Sequence, residues 1–136
     1  MDDVVINKIE SIKRCLKRIE EDYDEEFEEN YTKQDAVILN IQRLIQQTID
    51  LGAYIVKKYK LGIPKRSREI FDFLKNANII EDELAENLKK MVGFRNLAIY
   101  EYCSLKLEIV EYVIKNRIFD ALIFSQRIIE YEKSND

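Results

Sequence analysis

The chain has 136 residues with one proline, three glycines and no tryptophan, which fits one domain with one core and leaves little material for turns. Its 22 basic and 26 acidic side chains give a net charge of −4, which excludes nucleic-acid binding through a broad basic field and leaves only a local contact. Cys15 and Cys103 lack CxxC spacing and the chain has no histidine, so a zinc site of the usual Cys/His kind is excluded and the expectation is two reduced thiols.

Few breakers beside abundant Ile, Leu, Lys and Glu, with 35% of residues charged, predict long helices with solvated outer faces and short connections. Met1-Asp2-Asp3 is acidic and unlike a secretory signal, and no apolar run approaches ~20 residues, so the expectation is a soluble cytoplasmic protein. Val5, Ile9, Ile12, Leu16, Ile19 and Tyr23 recur in steps of four and three and form one stripe of a first helix. The acidic run from Glu20 to Glu29 lacks the glycine and alternating ligands of a calcium loop and reads as a solvated helix end.

Thr32 as N-cap and Asp35 in the first turn predict a second helix that runs to about Tyr59. It carries two apolar rows, one of Val37, Ile41, Leu44 and Thr48 and the other of Ile38, Ile45, Ile49 and Val56, which places it in the middle of a bundle or between a core and an interface. Gly62 is expected to take a left-handed cap and Pro64 to stop the helix. Ser67 then caps a short helix with Ile70, Phe71, Phe73 and Leu74, and Asn76 to Asn78 supply a turn. A fourth helix starts near Glu81 and runs through Leu84, Leu88 and Met91 to about Ile99. Leu105 to Tyr131 reads as two helical stretches that break near Asn116 to Asp120, or as one kinked helix. The sum is an all-α antiparallel bundle of about five to six helices, occupying residues 1–136 as one domain.

Arg95 and Tyr102 are seven apart, so a continuous helix puts them on nearly one face, whereas Tyr100 points away from that line. A helix that frays after Ala98 would let Tyr100 swing towards Arg95, and Gly93 makes such irregularity plausible. Lys65, Arg66 and Arg68, with Lys89 and Lys90, could supply a local positive path for RNA, and an ordinary solvated helix start is the competing reading. Phe71, Phe73 and Phe94 have helical spacing and read as core.

The segment Met91-Val92-Gly93-Phe94-Arg95-Asn96-Leu97-Ala98-Ile99-Tyr100-Glu101-Tyr102 resembles the signature of the HepT branch of HEPN ribonuclease toxins, which reads Arg-x4-His-x-Tyr. Ile49-Asp50-Leu51-Gly52, Lys60-Leu61-Gly62-Ile63-Pro64 and Ile79-Ile80 before Leu84-Ala85 resemble further landmarks of that family in order and spacing. The resemblance implies a HEPN bundle that dimerises and cuts RNA without metal or other cofactor. It implies a phosphate-binding role for Arg95, a positioning role for Asn96, and AMP attachment at Tyr102 by a minimal nucleotidyltransferase antitoxin, MntA. Tyr100 stands where the family has its catalytic histidine, so weak cleavage or none is expected, because an unperturbed tyrosine titrates near ~10 and histidine near ~6.5. A non-catalytic, substrate-binding partner of a nucleotidyltransferase is the alternative.

Overall fold

The computed structural model describes residues 2–135, among which are six α-helices and no strand. They are α1 (Asp3–Asp22), α2 (Tyr31–Lys58), α3 (Ser67–Asn76), α4 (Asp82–Tyr100), α5 (Leu107–Asn116) and α6 (Asp120–Ser134), with single 3-10 turns at Phe27–Glu29 and Tyr102–Ser104. The α1 stripe buries Val5, Ile9, Ile12, Leu16 and Ile19 as its spacing predicts, and Cys15 joins them. These side chains lie against α2 in the most extensive helix pairing of the fold. Tyr23 ends the helix and meets Phe27 edge-on, ring centroids 4.9 Å apart. Phe27 is completely buried in the middle of the acidic run. Burial of such a ring contributes about 1.5–3 kcal/mol towards holding that charged connection on the core.

Both apolar rows of α2 are buried, and the helix packs on α1, α3, α4 and α6. It is the central element that its two-sided pattern predicts. Its start differs from expectation: Asn30, not Thr32, is the N-cap, with Oδ1 accepting from Lys33 N at 3.0 Å. Burial of Phe27 brings Asn30 to the helix mouth before Thr32 can serve, and Asp35 falls beyond the first turn. The end differs too. Lys60 takes the left-handed conformation with φ 54°, while Gly62 is extended. Lys60 N donates to Lys57 O at 3.3 Å and Leu61 N to Val56 O at 2.9 Å, the paired bonds of a Schellman cap. Gly62 is small for a different reason, since a Cβ there would lie 2.7 Å from the Phe73 ring.

Ser67 is the first residue of α3, and Arg66 holds the cap position that the sequence suggests for Ser67. The Glu69 carboxylate accepts from Lys65 N at 2.7 Å and Arg66 N at 2.9 Å, so the helix mouth is closed by its own third residue rather than by a serine hydroxyl. Asn78, with φ 60°, turns the chain as predicted and Ile79 N closes onto Leu74 O at 3.0 Å. The last third is two helices with the break at residues 117–119. Phe71 and Phe94 are buried in the core and Phe73 is half-buried over Gly62. No helix among the described residues is long and apolar enough to cross a membrane.

Candidate active site

Helix α4 continues without a break through Tyr100, close to the end at about Ile99 that the sequence predicts, so the fraying that would let Tyr100 swing towards Arg95 does not occur. Gly93 lies within the regular helix, and its missing side chain makes room for an arginine: a Cβ would stand 2.7 Å from Arg68 Nη2. α3 and α4 thereby approach closely enough to share a cleft of about 380 Å³ lined by Arg66, Ser67, Arg68, Val92, Arg95 and Asn96. Three guanidinium groups and the start of α3 face this space, and among the described residues no carboxylate lines it. On a protein of net charge −4 it is a local concentration of positive charge.

The Arg95 guanidinium is held from two sides. Nη1 donates to Gln46 Oε1 at 2.8 Å, while Nη2 and Nε donate to Asn96 Oδ1 at 2.9 and 3.3 Å. Gln46 is itself fixed by donating from Nε2 to Asp50 Oδ1 at 2.8 Å, and Asp50 Oδ2 stands 3.7 Å from Lys8 Nζ. A guanidinium has five N–H donors, so these contacts orient Arg95 and leave two for a phosphate. Asn96 thus fixes the orientation of the Arg95 guanidinium.

Of the suggested basic path, Arg66 and Arg68 line the cleft with Arg95. Lys89 does not join them: it pairs with Asp72 at 2.9 Å and Glu86 at 3.0 Å, and these carboxylates hold its ammonium pKa above the usual value. Lys90 lies on another side of α4, in a groove with Phe94, Ile109 and Tyr112 that faces α5. Lys65 is exposed beside the mouth of α3, and its backbone N–H is spent on Glu69.

Tyr100 is 80% exposed, and among the described residues its hydroxyl has no hydrogen-bond partner. Five residues from Arg95, it lies roughly 140° around the helix and points away from the guanidinium. Tyr102 is not on the helix with Arg95, because Glu101 ends α4 and Tyr102 enters the 3-10 turn. Its hydroxyl donates a short hydrogen bond to Asp35 Oδ1 on α2. Partial burial first, and the Asp35 contact second, push its phenol up to about 12. The α2 partners Asp35 and Gln46 are three helical turns apart on one face, an axial offset of about 16 Å. Tyr102 and Arg95 therefore overhang one side of α2 without touching.

The sequence reading singles out neither Gln46 nor the Asp35–Tyr102 contact. Their near-integral number of turns along α2 is the one local signal for them, and it acquires meaning only once α4 is laid across that face.

The model of the family described as ribonuclease HepT-like matches residues 8–128. The mRNA nuclease HepT of Shewanella oneidensis is 45% identical over 122 residues, 88% of this chain and 92% of that protein. The tri-AMPylated HEPN toxin of Shewanella oneidensis, solved in complex with an MNT antitoxin, superposes with a TM-score of 0.91 at 43% identity, covering 96% of this chain and 99% of that one. A toxin–antitoxin crystal structure with AMP-PNP gives the same TM-score at 42% identity, covering 95% and 99%.

Proposed function

We propose, from the fact that this chain belongs to the ribonuclease HepT-like family, that it is the HEPN toxin of a toxin–antitoxin pair, silenced by AMP transfer to Tyr102 from a minimal nucleotidyltransferase antitoxin. The domain spans residues 1–136, acts in the cytoplasm and works as a homodimer. The observation that carries the reading is the Arg95 guanidinium, braced by Gln46 and Asn96 at the edge of a cleft whose other charges are Arg66 and Arg68. A guanidinium grips a phosphodiester through parallel hydrogen bonds and stabilises the charge that grows as the bond breaks. Exposed Leu39, Ile99 and Tyr100 lie on α2 and the end of α4 and offer an apolar surface for a second copy.

Cleavage by the RNA 2′-hydroxyl also needs proton transfer near neutral pH, which a histidine at position 100 would supply and a tyrosine does not. This chain therefore grips RNA and cuts it weakly or not at all. The solvent-facing, unpartnered Tyr100 equally suits a second reading, in which the chain is a non-catalytic partner that presents substrate to a nucleotidyltransferase.

Fluorescence anisotropy with short single-stranded RNA tests the site. Binding by the unaltered chain that is lost in Arg95→Ala and kept in Lys89→Ala supports the cleft. Equal binding by both variants refutes it.

A further inference from the structure

The hydroxyl of Tyr102 is already engaged by a base. Tyr102 Oη donates to Asp35 Oδ1, and among the described residues it makes no other side-chain hydrogen bond. The contact joins the 3-10 turn after α4 to the first third of α2, residues 67 apart in sequence. Around it lies a small cleft of about 160 Å³, bordered by Tyr31, Gln34, Ile38, Leu105 and Val110. Asp35 is exposed and Tyr102 is 42% exposed, so a nucleotide can approach the hydroxyl from solvent.

We propose that Asp35 is a catalytic residue of Tyr102 modification: its Oδ1 takes the phenolic proton as Tyr102 Oη attacks the α-phosphorus of ATP held by the nucleotidyltransferase. The Oη–P bond forms, the bond from that phosphorus to the pyrophosphate oxygen breaks, and pyrophosphate departs with its electron pair. The proton passes from Tyr102 to Asp35 and then to water. This rests on the reading of Tyr102 as the AMP acceptor.

The environment of the phenol explains why a base in place matters. With its pKa pushed up to about 12, only about one Tyr102 in 10⁵ is ionised at pH 7, so attack by a free phenolate is slow. A carboxylate hydrogen-bonded to the hydroxyl removes the proton in step with the attack, and help of this kind commonly contributes ~10²–10⁴-fold in rate. Asp35 thus has opposite effects on the two stages. It holds the resting hydroxyl protonated, and it receives the proton once phosphorus draws electron density from the oxygen.

The test is single-turnover modification of the full chain by its cognate nucleotidyltransferase with ATP and magnesium, followed by intact mass and peptide mapping. Asp35→Asn preserves an acceptor of the same shape but cannot take the proton. It should slow adduct formation on Tyr102 by about 10²-fold or more at pH 7.5. The residual rate should climb nearly tenfold per pH unit from 7 to 9, while the unaltered chain stays flat. Asp35→Glu should recover part of the rate, and all three proteins should melt together. If Asp35→Asn is modified as fast as the unaltered chain, with the same flat profile, the proposal is wrong and the Tyr102 reading stands. If the unaltered chain gains no adduct on Tyr102, the modification reading falls and this proposal with it.

Discussion

Replacing Gly93 by alanine should raise stability and weaken RNA binding together, a pairing that few substitutions produce. Gly93 sits within α4, where alanine is favoured over glycine by about 0.5–1 kcal/mol. The added Cβ would stand 2.7 Å from Arg68 Nη2 and 3.9 Å from its Cζ, and among the described residues it would meet nothing else within 4 Å beyond its chain neighbours and its own helix backbone. The obstructed atom is the tip of an exposed, flexible side chain, so Arg68 swings away and the helix retains its gain. The cleft then loses one of three guanidinium groups. A hydrogen bond to a charged phosphate is worth about 1.5–3 kcal/mol, reduced at an exposed site to about 1 kcal/mol, which is roughly fivefold in Kd. The slope of log binding constant against log salt should fall by about 0.7 for single-stranded RNA. Thermal melts and anisotropy titrations at three salt concentrations measure both effects. An unchanged Kd and slope would refute the assignment of Arg68 to the RNA cleft, and a lower melting temperature would refute the packing argument.

Light scattering at micromolar concentration should give a dimer, and Leu39→Glu with Ile99→Glu should give a folded monomer; a monomeric unaltered chain would contradict the interface. Removing Lys58 leaves the buried Glu132 carboxylate, now held by Lys58 Nζ at 2.9 Å and Tyr59 Oη at 2.5 Å, without its cation. Lys58→Met should therefore lower the melting temperature, and adding Glu132→Met should restore part of it, because the buried charge goes with its partner while Tyr59 Oη and Asp2 each lose one contact. Acid should loosen the chain start and the acidic turn. Hydrogen bonds from Tyr54 to Asp2 and from Lys33 to Asp24 hold both carboxyls below their ordinary range. Their stabilising effect is fully present above about pH 4 and lost as pH falls through the lowered folded values, which a series of melts from pH 6 to pH 2 measures. Near-ultraviolet titration should show Tyr54, Tyr59 and Tyr102 ionising after the exposed tyrosines, with Tyr102→Phe reducing the late amplitude by one of three phenols.

The helices were legible because their burial is periodic: both α2 rows are buried throughout, and so is the α1 stripe apart from Tyr23, which caps the helix and is only partly buried. Their ends were less so. Asn30 and Thr32 are both competent caps two residues apart, and burial of Phe27, a contact with the core outside the helix, decides between them. Lys60 adopts a left-handed turn that glycine would take more easily, because the small residue is needed two positions later against Phe73. At the candidate site, Arg95 and Asn96 stand out through the family pattern, and neighbouring positions suffice for their mutual contact. Gln46 and Asp35 do not stand out, since a glutamine and an aspartate on a long helix are ordinary until α4 and its following turn cross above them. Lys89 looked like a partner of Arg95 by proximity in sequence, but its place on α4 turns it towards Asp72.

The central claim is that this chain keeps the phosphate grip of a HEPN nuclease and lacks its base, and Tyr100→His tests it most directly. Tyr100 is exposed within the protomer, so the exchange should change the stability of the protomer fold by no more than about 0.5 kcal/mol. RNA cleavage by the purified variant should rise by about 10²–10⁴-fold, and its expression without antitoxin should stop growth. Position 100 points away from Arg95 of its own protomer, so the base would work in the dimer on a phosphate held by an Arg95 cleft, and adding Arg95→Ala should erase the gain because nothing then stabilises the growing charge. A folded, dimeric Tyr100→His protein that neither cuts RNA nor slows growth would contradict the account and favour a non-catalytic partner of a nucleotidyltransferase.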